Sequence, residues 1–150
     1  LTGNQGQEVH AQGLPGNVLD AALGAEEDSR AFAITRDSVF VSDDGGETWK
    51  AAPLNWPARD LRAVAANPNG PGRAVTVDSH GGILVGGGAE EPWVVLAFAP
   101  WVDMAEDILL SPTAPGIALV ATLGHGIRVV SLGWTGPSLN ATSRVGLTKE

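Results

Sequence analysis

Short apolar runs rich in Val, Ile, Leu and Ala recur along the chain, partly alternating with polar residues and separated by clusters of Gly, Pro, Asn, Asp and Ser. Runs of this kind predict short, half-buried antiparallel strands, because β-branched side chains pack well on a pleated surface and the intervening residues supply the φ values that tight turns need. The expected strands are Val18–Leu23, Ala31–Thr35, Val39–Ser42 and Thr48–Ala52; then Leu61–Ala66, Ala74–Asp78, Ile83–Gly86 and Trp93–Phe98; then Ile108–Ser111, Ala118–Thr122, Ile127–Ser131 and a segment from Trp134 onward. Met104–Leu110 also permits one or two helical turns, and only the larger pattern favours a strand there.

That larger pattern is an internal repeat. Arg30-Ala31-Phe32-Ala33-Ile34-Thr35 resembles Arg73-Ala74-Val75-Thr76-Val77-Asp78, 43 residues on, and Val39-Phe40-Val41 matches Ile83-Leu84-Val85, 44 residues on. Thr48-Trp49 matches Pro92-Trp93 at the same step of 44. In a third copy, Ala118 to Ala121 and Ile127 to Val129 follow 44 residues after Ala74 to Val77 and Ile83 to Val85, with Trp134 three residues early. Four strands per repeat of this length is the blade unit of a β-propeller. The expected fold is therefore all-β: three four-stranded antiparallel blades over 17–56, 59–101 and 106–145. Residues 6–15 stand where a fourth strand would precede the first blade, as an N-terminal orphan strand. Three blades do not close a ring by themselves, so the pattern predicts part of a larger propeller or a six-bladed dimer, with open edges that invite pairing.

Ser42-Asp43-Asp44-Gly45-Gly46-Glu47-Thr48-Trp49 fits S-x-D-x-G-x-T-W at all five specified positions (Ser42, Asp44, Gly46, Thr48 and Trp49) between a third and a fourth strand. It resembles the Asp box, or BNR repeat, of sialidase-like propellers. The residues read as a hairpin staple. Asp44 accepts backbone N–H groups across the turn, Gly46 takes a conformation a Cβ would penalise, and Trp49 buries a large ring between blades. Gly86 to Trp93 is a decayed second copy that keeps the Trp, and the third keeps only Trp134. The acids at Asp43, Asp44 and Glu47 miss the alternating spacing of an EF-hand loop.

The resemblance implies a superfamily that includes sialidases, other glycosidases, sortilin-like receptors and photosystem II assembly or stability factors. Sialidase chemistry in that superfamily uses a Tyr nucleophile with a Glu partner, three convergent Arg residues and an Arg-Ile-Pro element. This chain has no Tyr and no Arg-Ile-Pro, so the resemblance points to its non-catalytic members. A two-carboxylate glycosidase is left open by composition, but most acids, among them Glu26, Glu27, Asp28, Glu90 and Glu91, fall in expected turns.

Composition narrows the classes further. Nine Lys+Arg against 17 Asp+Glu give a net charge of −8, spread evenly and with no basic arm, which argues against nucleic acid. The absence of Cys removes disulfides, thiolate metal sites and Cys nucleophiles. The longest apolar stretch, Trp93 to Val102, is about half what a membrane helix needs and contains Pro100. The chain opens on Leu1 rather than Met and residues 1–16 are rich in Gly and Gln, the pattern of a processed or trimmed chain with no signal peptide remaining. Asn140-Ala141-Thr142 is a lone glycosylation triplet. Gly86-Gly87-Gly88 lacks the Lys and spacing of a phosphate loop.

In a propeller blade the turn between strands two and three and the inter-blade links emerge on one face. That face is expected to gather Arg36, His80 and His125, at one equivalent position in successive blades, with Trp56, Arg59 and Trp101 from the links. Trp, Arg and His are common recognition residues. The same His residues also read as turn filler, and a metal site would need a third ligand such as Asp37 or Asp78. No cofactor is expected. The expected function is a non-catalytic binding or assembly propeller that recognises a protein or carbohydrate through this face, extracytoplasmic by resemblance, and associated with a second copy or with other blades. The alternative is a fragment of a sialidase-like glycoside hydrolase whose catalytic residues lie on other blades. A purely structural spacer is a third reading.

Overall fold

The computed structural model describes residues 11–25, 30–55, 60–68, 72–98, 104–133 and 146–147. These form three four-stranded antiparallel sheets, and no helix occurs among the described residues. The first sheet holds β1 (Asp20–Leu23), β2 (Ala31–Ile34), β3 (Val39–Ser42) and β4 (Lys50–Ala52) in that spatial order. The second holds β5 (Leu61–Ala66), β6 (Ala74–Asp78), β7 (Gly82–Gly86) and β8 (Val94–Phe98). The third holds β9 (Ala105–Leu110), β10 (Ile117–Thr122), β11 (Gly126–Ser131) and β12 (Gly146–Leu147). Met104–Leu110 is thus resolved in favour of strand. The outermost strand of the third sheet is Gly146–Leu147, and Trp134 lies outside the described residues.

The first strands of successive sheets, β1, β5 and β9, lie against one another, so the sheets fan out from a shared inner edge as propeller blades do. Each blade has two faces, fixed by strand register. On the leading face of the first blade, Phe32 pairs with Val41 and Ile34 with Val39. These four pack on Leu61, Val64, Ala74 and Trp93 of the second blade. The indole of Trp93 is 0% exposed and meets the Phe32 ring edge-on, with centroids 5.8 Å apart. On the leading face of the second blade, Ala63, Ala65, Val75, Val77, Ile83 and Val85 pack on Ile108, Ala118, Val120, Val130 and Leu132 of the third. The core is therefore two apolar layers between blades. Alternation along each strand sends one set of side chains forward and the other back.

The orphan segment is described only from residue 11, and residues 6–10 lie outside the described set. Gln12 makes a parallel bridge to Thr48, its amide donating to the Glu47 carbonyl at 2.8 Å and its carbonyl accepting from the Trp49 amide at 2.9 Å. At the next blade boundary the Trp93 amide donates to the Pro53 carbonyl at 2.8 Å. Gln12 thus stands before the first blade as Pro53 stands before the second. Gly13 follows with φ +86°, and a Cβ there would lie 2.4 Å from the Trp49 carbonyl oxygen.

Candidate functional site

The β3–β4 turn is a closed hydrogen-bond network. The Ser42 hydroxyl donates to Asp44 Oδ1 at 2.8 Å and accepts from the Gly46 amide at 2.9 Å. Asp44 then reaches across the turn. Its Oδ1 accepts from the Thr48 amide at 2.8 Å and its Oδ2 from the Thr48 hydroxyl at 2.5 Å. Gly45 and Gly46 adopt φ of 78° and 102°, a region that side chains rarely enter. The Trp49 indole N–H closes the turn on the Gly46 carbonyl at 2.9 Å. Two hydrogen bonds from Thr48 and one from Ser42 favour the carboxylate and hold the Asp44 pKa down at about 2. In the second blade the corresponding polar residues are gone, and among the described residues none pairs with the buried Trp93 indole N–H. All five residues of the motif are thus engaged within the turn and with each other.

The opposite turns build a second network, around the starts of the inner strands. Asp60, immediately before β5, has φ 64°, and Met104, immediately before β9, has φ 112°. These are the two non-glycine residues with positive φ among those described, and they sit 44 positions apart. Each one's carbonyl accepts from the turn of its own blade: Ser79 N–H to Asp60 at 3.1 Å and Leu123 N–H to Met104 at 2.9 Å. The Asp60 carboxylate also accepts from the Ser79 hydroxyl at 2.9 Å and from Arg36 Nε at 3.0 Å, while the Leu61 amide donates to the Arg36 carbonyl at 2.7 Å. Arg62 stands 3.6 Å from Asp60 and donates to Glu106 of the third blade at 2.6 Å. Burial works to raise the Asp60 pKa, but the Ser79 hydroxyl and the Arg36 and Arg62 guanidinium groups outweigh it and hold it below the usual carboxylate range. The Glu106 carboxylate, accepting from Arg62, favours the charged guanidinium and raises the Arg62 pKa. Arg36, Asp60, Arg62 and Glu106 therefore form one alternating-charge rail across three blades.

The candidate binding residues are placed as follows. Arg36 is in the β2–β3 turn with 70% of its side chain exposed. His80 and His125 are exposed in the β6–β7 and β10–β11 turns. The His80 turn is fixed from beneath by Asp78, a fully buried carboxylate whose Oδ1 accepts from the His80 amide at 2.9 Å and the Gly82 amide at 2.8 Å. Asp37 Oδ1 accepts from the Thr35 and Ser38 hydroxyls. Both acids weighed as third metal ligands are thus committed to their own turns, and no group of three or more His, Cys, Asp or Glu residues is placed to hold a metal among the described residues. Trp56, Arg59 and Trp101 lie outside the described residues. Arg62, Glu106 and the buried role of Asp78 were missed by sequence reasoning. The one available signal was a charged residue recurring beside the inner strand, and it belongs to no motif.

Comparison with solved structures finds the same fold. YCF48 bound to a D1 peptide superposes with a TM-score of 0.61 at 19% identity, over 81% of this chain and 40% of that one. YCF48 from Cyanidioschyzon merolae gives 0.61 at 19% identity, over 80% of this chain and 39% of that one. The chain therefore spans about two fifths of the length of these neighbours. No family model matches the chain, and no curated protein does. Among the described residues no helix is long and apolar enough to cross a membrane.

Proposed function

We propose that this chain is a non-catalytic, protein-binding propeller segment that recognises a segment of another protein on the face carrying the β2–β3, β6–β7 and β10–β11 turns. The observation that carries the reading is the charge rail of Arg36, Asp60, Arg62 and Glu106, which locks successive turns into one surface while leaving Arg36, His80 and His125 exposed. A surface fixed before binding loses little conformational freedom on association. Like folds support the reading, since the YCF48 structure was obtained with a D1 peptide bound. Arg36 supplies a cationic contact to an acidic or C-terminal carboxylate, and the two imidazoles supply aromatic and hydrogen-bonding contacts. Trp56, Arg59 and Trp101 belong to the same proposed face. The β3–β4 turn is read as an Asp box whose work is to staple the hairpin, and the setting is read as extracytoplasmic.

The test is titration of the ¹⁵N-labelled chain with the D1 peptide and with an array of short peptides ending in free carboxylates. The reading expects shifts concentrated at residues 35–38, 79–81 and 123–126, with affinity falling at least about tenfold in Arg36→Glu, equivalent to about 1.4 kcal/mol. Binding confined to other surfaces, binding of oligosaccharides alone, or glycoside turnover abolished by a carboxylate substitution would each overturn it.

A further inference from the structure

Among the described residues, the leading faces of the first and second blades are each buried by the blade that follows, and that of the third is not. Register and repeat together identify the equivalent residues. Ala63, Ala65, Val75, Val77, Ile83 and Val85 of the second blade correspond, each 44 positions on, to Asp107, Leu109, Leu119, Ala121, Ile127 and Val129. The first set is buried against the third blade. In the second set Leu109 is 60% exposed, Leu119 39% and Ile127 66%. Asp107, Leu109, Leu119, Ala121 and Ile127 together line an open cavity of about 60 Å³. A contiguous apolar patch of this kind is a feature that monomers seldom leave uncovered.

At the other end of the molecule, the trailing face of the first blade is the counterpart. Trp49 corresponds to Trp93, which is fully buried against Phe32, but Trp49 is only half-buried. A cavity of about 160 Å³ opens beside it, lined by Ala21, Leu23, Ala31, Gly46 and Trp49, and Leu23 is 78% exposed. The residue that would meet Trp49, by analogy with Phe32 on Trp93, is the third blade's Leu119.

The polar pattern repeats as well. On the leading face of the first blade, Asp20 Oδ1 accepts from the next amide in its own strand (Ala21) at 2.9 Å, and Oδ2 accepts from the Val64 amide of the following blade at 3.1 Å. Asp107 occupies the same step of the third blade, and its Oδ1 accepts from the next amide, Ile108, at 2.8 Å. By the pattern of Asp20, its Oδ2 is the atom that would accept an inner-strand amide of a further blade.

We infer that the leading face of the third blade and the trailing face of the first are the two halves of one interface, and that each covers the other in a second copy of this chain. Leu119 then packs on Trp49 of the partner subunit. The arrangement is head-to-tail, and two chains of three blades make a six-bladed ring, within the range of closed propellers. Both halves are present on the same chain, and each is a repeat of an interface the chain already forms internally.

The test is mass in solution by light scattering at high micromolar concentration, for the wild type, Leu119→Lys on the leading face, Leu23→Lys on the trailing face, and Leu123→Lys as an exposed control outside both. The expected mass is twice 15.4 kDa for the wild type and the control, and 15.4 kDa for each face variant alone. Mixing the two face variants restores a dimer, because the mixture contains one intact leading face and one intact trailing face. Circular dichroism matching the wild type shows that the variants, changed at exposed positions, remain folded. A monomeric wild type overturns the inference. So does a Leu23→Lys variant that still dimerises, which would mean leading faces pairing with each other, or a mixture that stays monomeric.

Discussion

The Asp20 carboxylate accepts the Val64 amide at 3.1 Å, the side chain of one blade satisfying the inner-edge backbone of the next. Among the described residues β5 is the terminal strand of its sheet, so amides on its free side have no strand to pair with. An unpaired amide there costs about 1–3 kcal/mol when shielded from water. Asp20→Ala should therefore destabilise the chain by about 1–3 kcal/mol in urea unfolding and speed hydrogen exchange at the Val64 amide. Glu47→Ala, an exposed acid in a turn, should leave both unchanged.

The Asp44 network makes a pH prediction. The folded pKa is about 2, below the ordinary carboxylate value, so Asp44 contributes stability that is fully present above about pH 4 and is lost as the pH falls towards 2. Asp44→Asn should flatten the stability profile in that window and lower the melting temperature at neutral pH. Asp43→Asn, whose carboxylate is in the turn but makes no bond to Thr48, should leave the slope across pH 2–4 in place.

The Phe32–Trp93 contact anchors the first blade boundary, both rings being fully buried. Phe32→Ala removes a large side chain from a layer that cannot collapse around it, and should cost about 3–5 kcal/mol. Phe40→Ala, on the other face of the same sheet and only partly buried, should cost less.

Gly13 is held at φ +86° with the Trp49 carbonyl oxygen where a Cβ would go. Gly13→Ala should detach the N-terminal segment from the first blade, with a loss of about 1–2 kcal/mol from the left-handed conformation alone. Faster exchange at the Trp49 amide, which donates to Gln12, would report it directly.

The blades were legible in the sequence because the turns are. Ala31–Ile34, Val39–Ser42, Leu61–Ala66 and Ala74–Asp78 begin within a residue of where Gly, Asp and Pro clusters end. The Ser42-to-Trp49 turn was legible because its bonds run between near neighbours. What the sequence could not reveal depends on which face a residue takes and on which blade stands opposite. Asp20 looks like any strand-edge acid until register places it on the leading face. Asp78 looks like a turn acid until its burial is seen. The switch from a spacing of 43 to one of 44 between early and late strands of the first two repeats hides these correspondences, since a shift of one residue inverts the face. The outer strand of the third blade was also hidden, because the Trp that marks it in the other two copies lies well before Gly146.

The blades stack in chain order, leading face to trailing face. The most direct measurement is a two-dimensional proton spectrum of the chain with the Phe32 and Trp93 rings assigned. It should contain strong cross-peaks between the Phe32 ring and the Trp93 indole, and none between the Phe32 ring and the Trp49 indole of the same chain. Cross-peaks from Phe32 to Trp49 with none to Trp93 would contradict it.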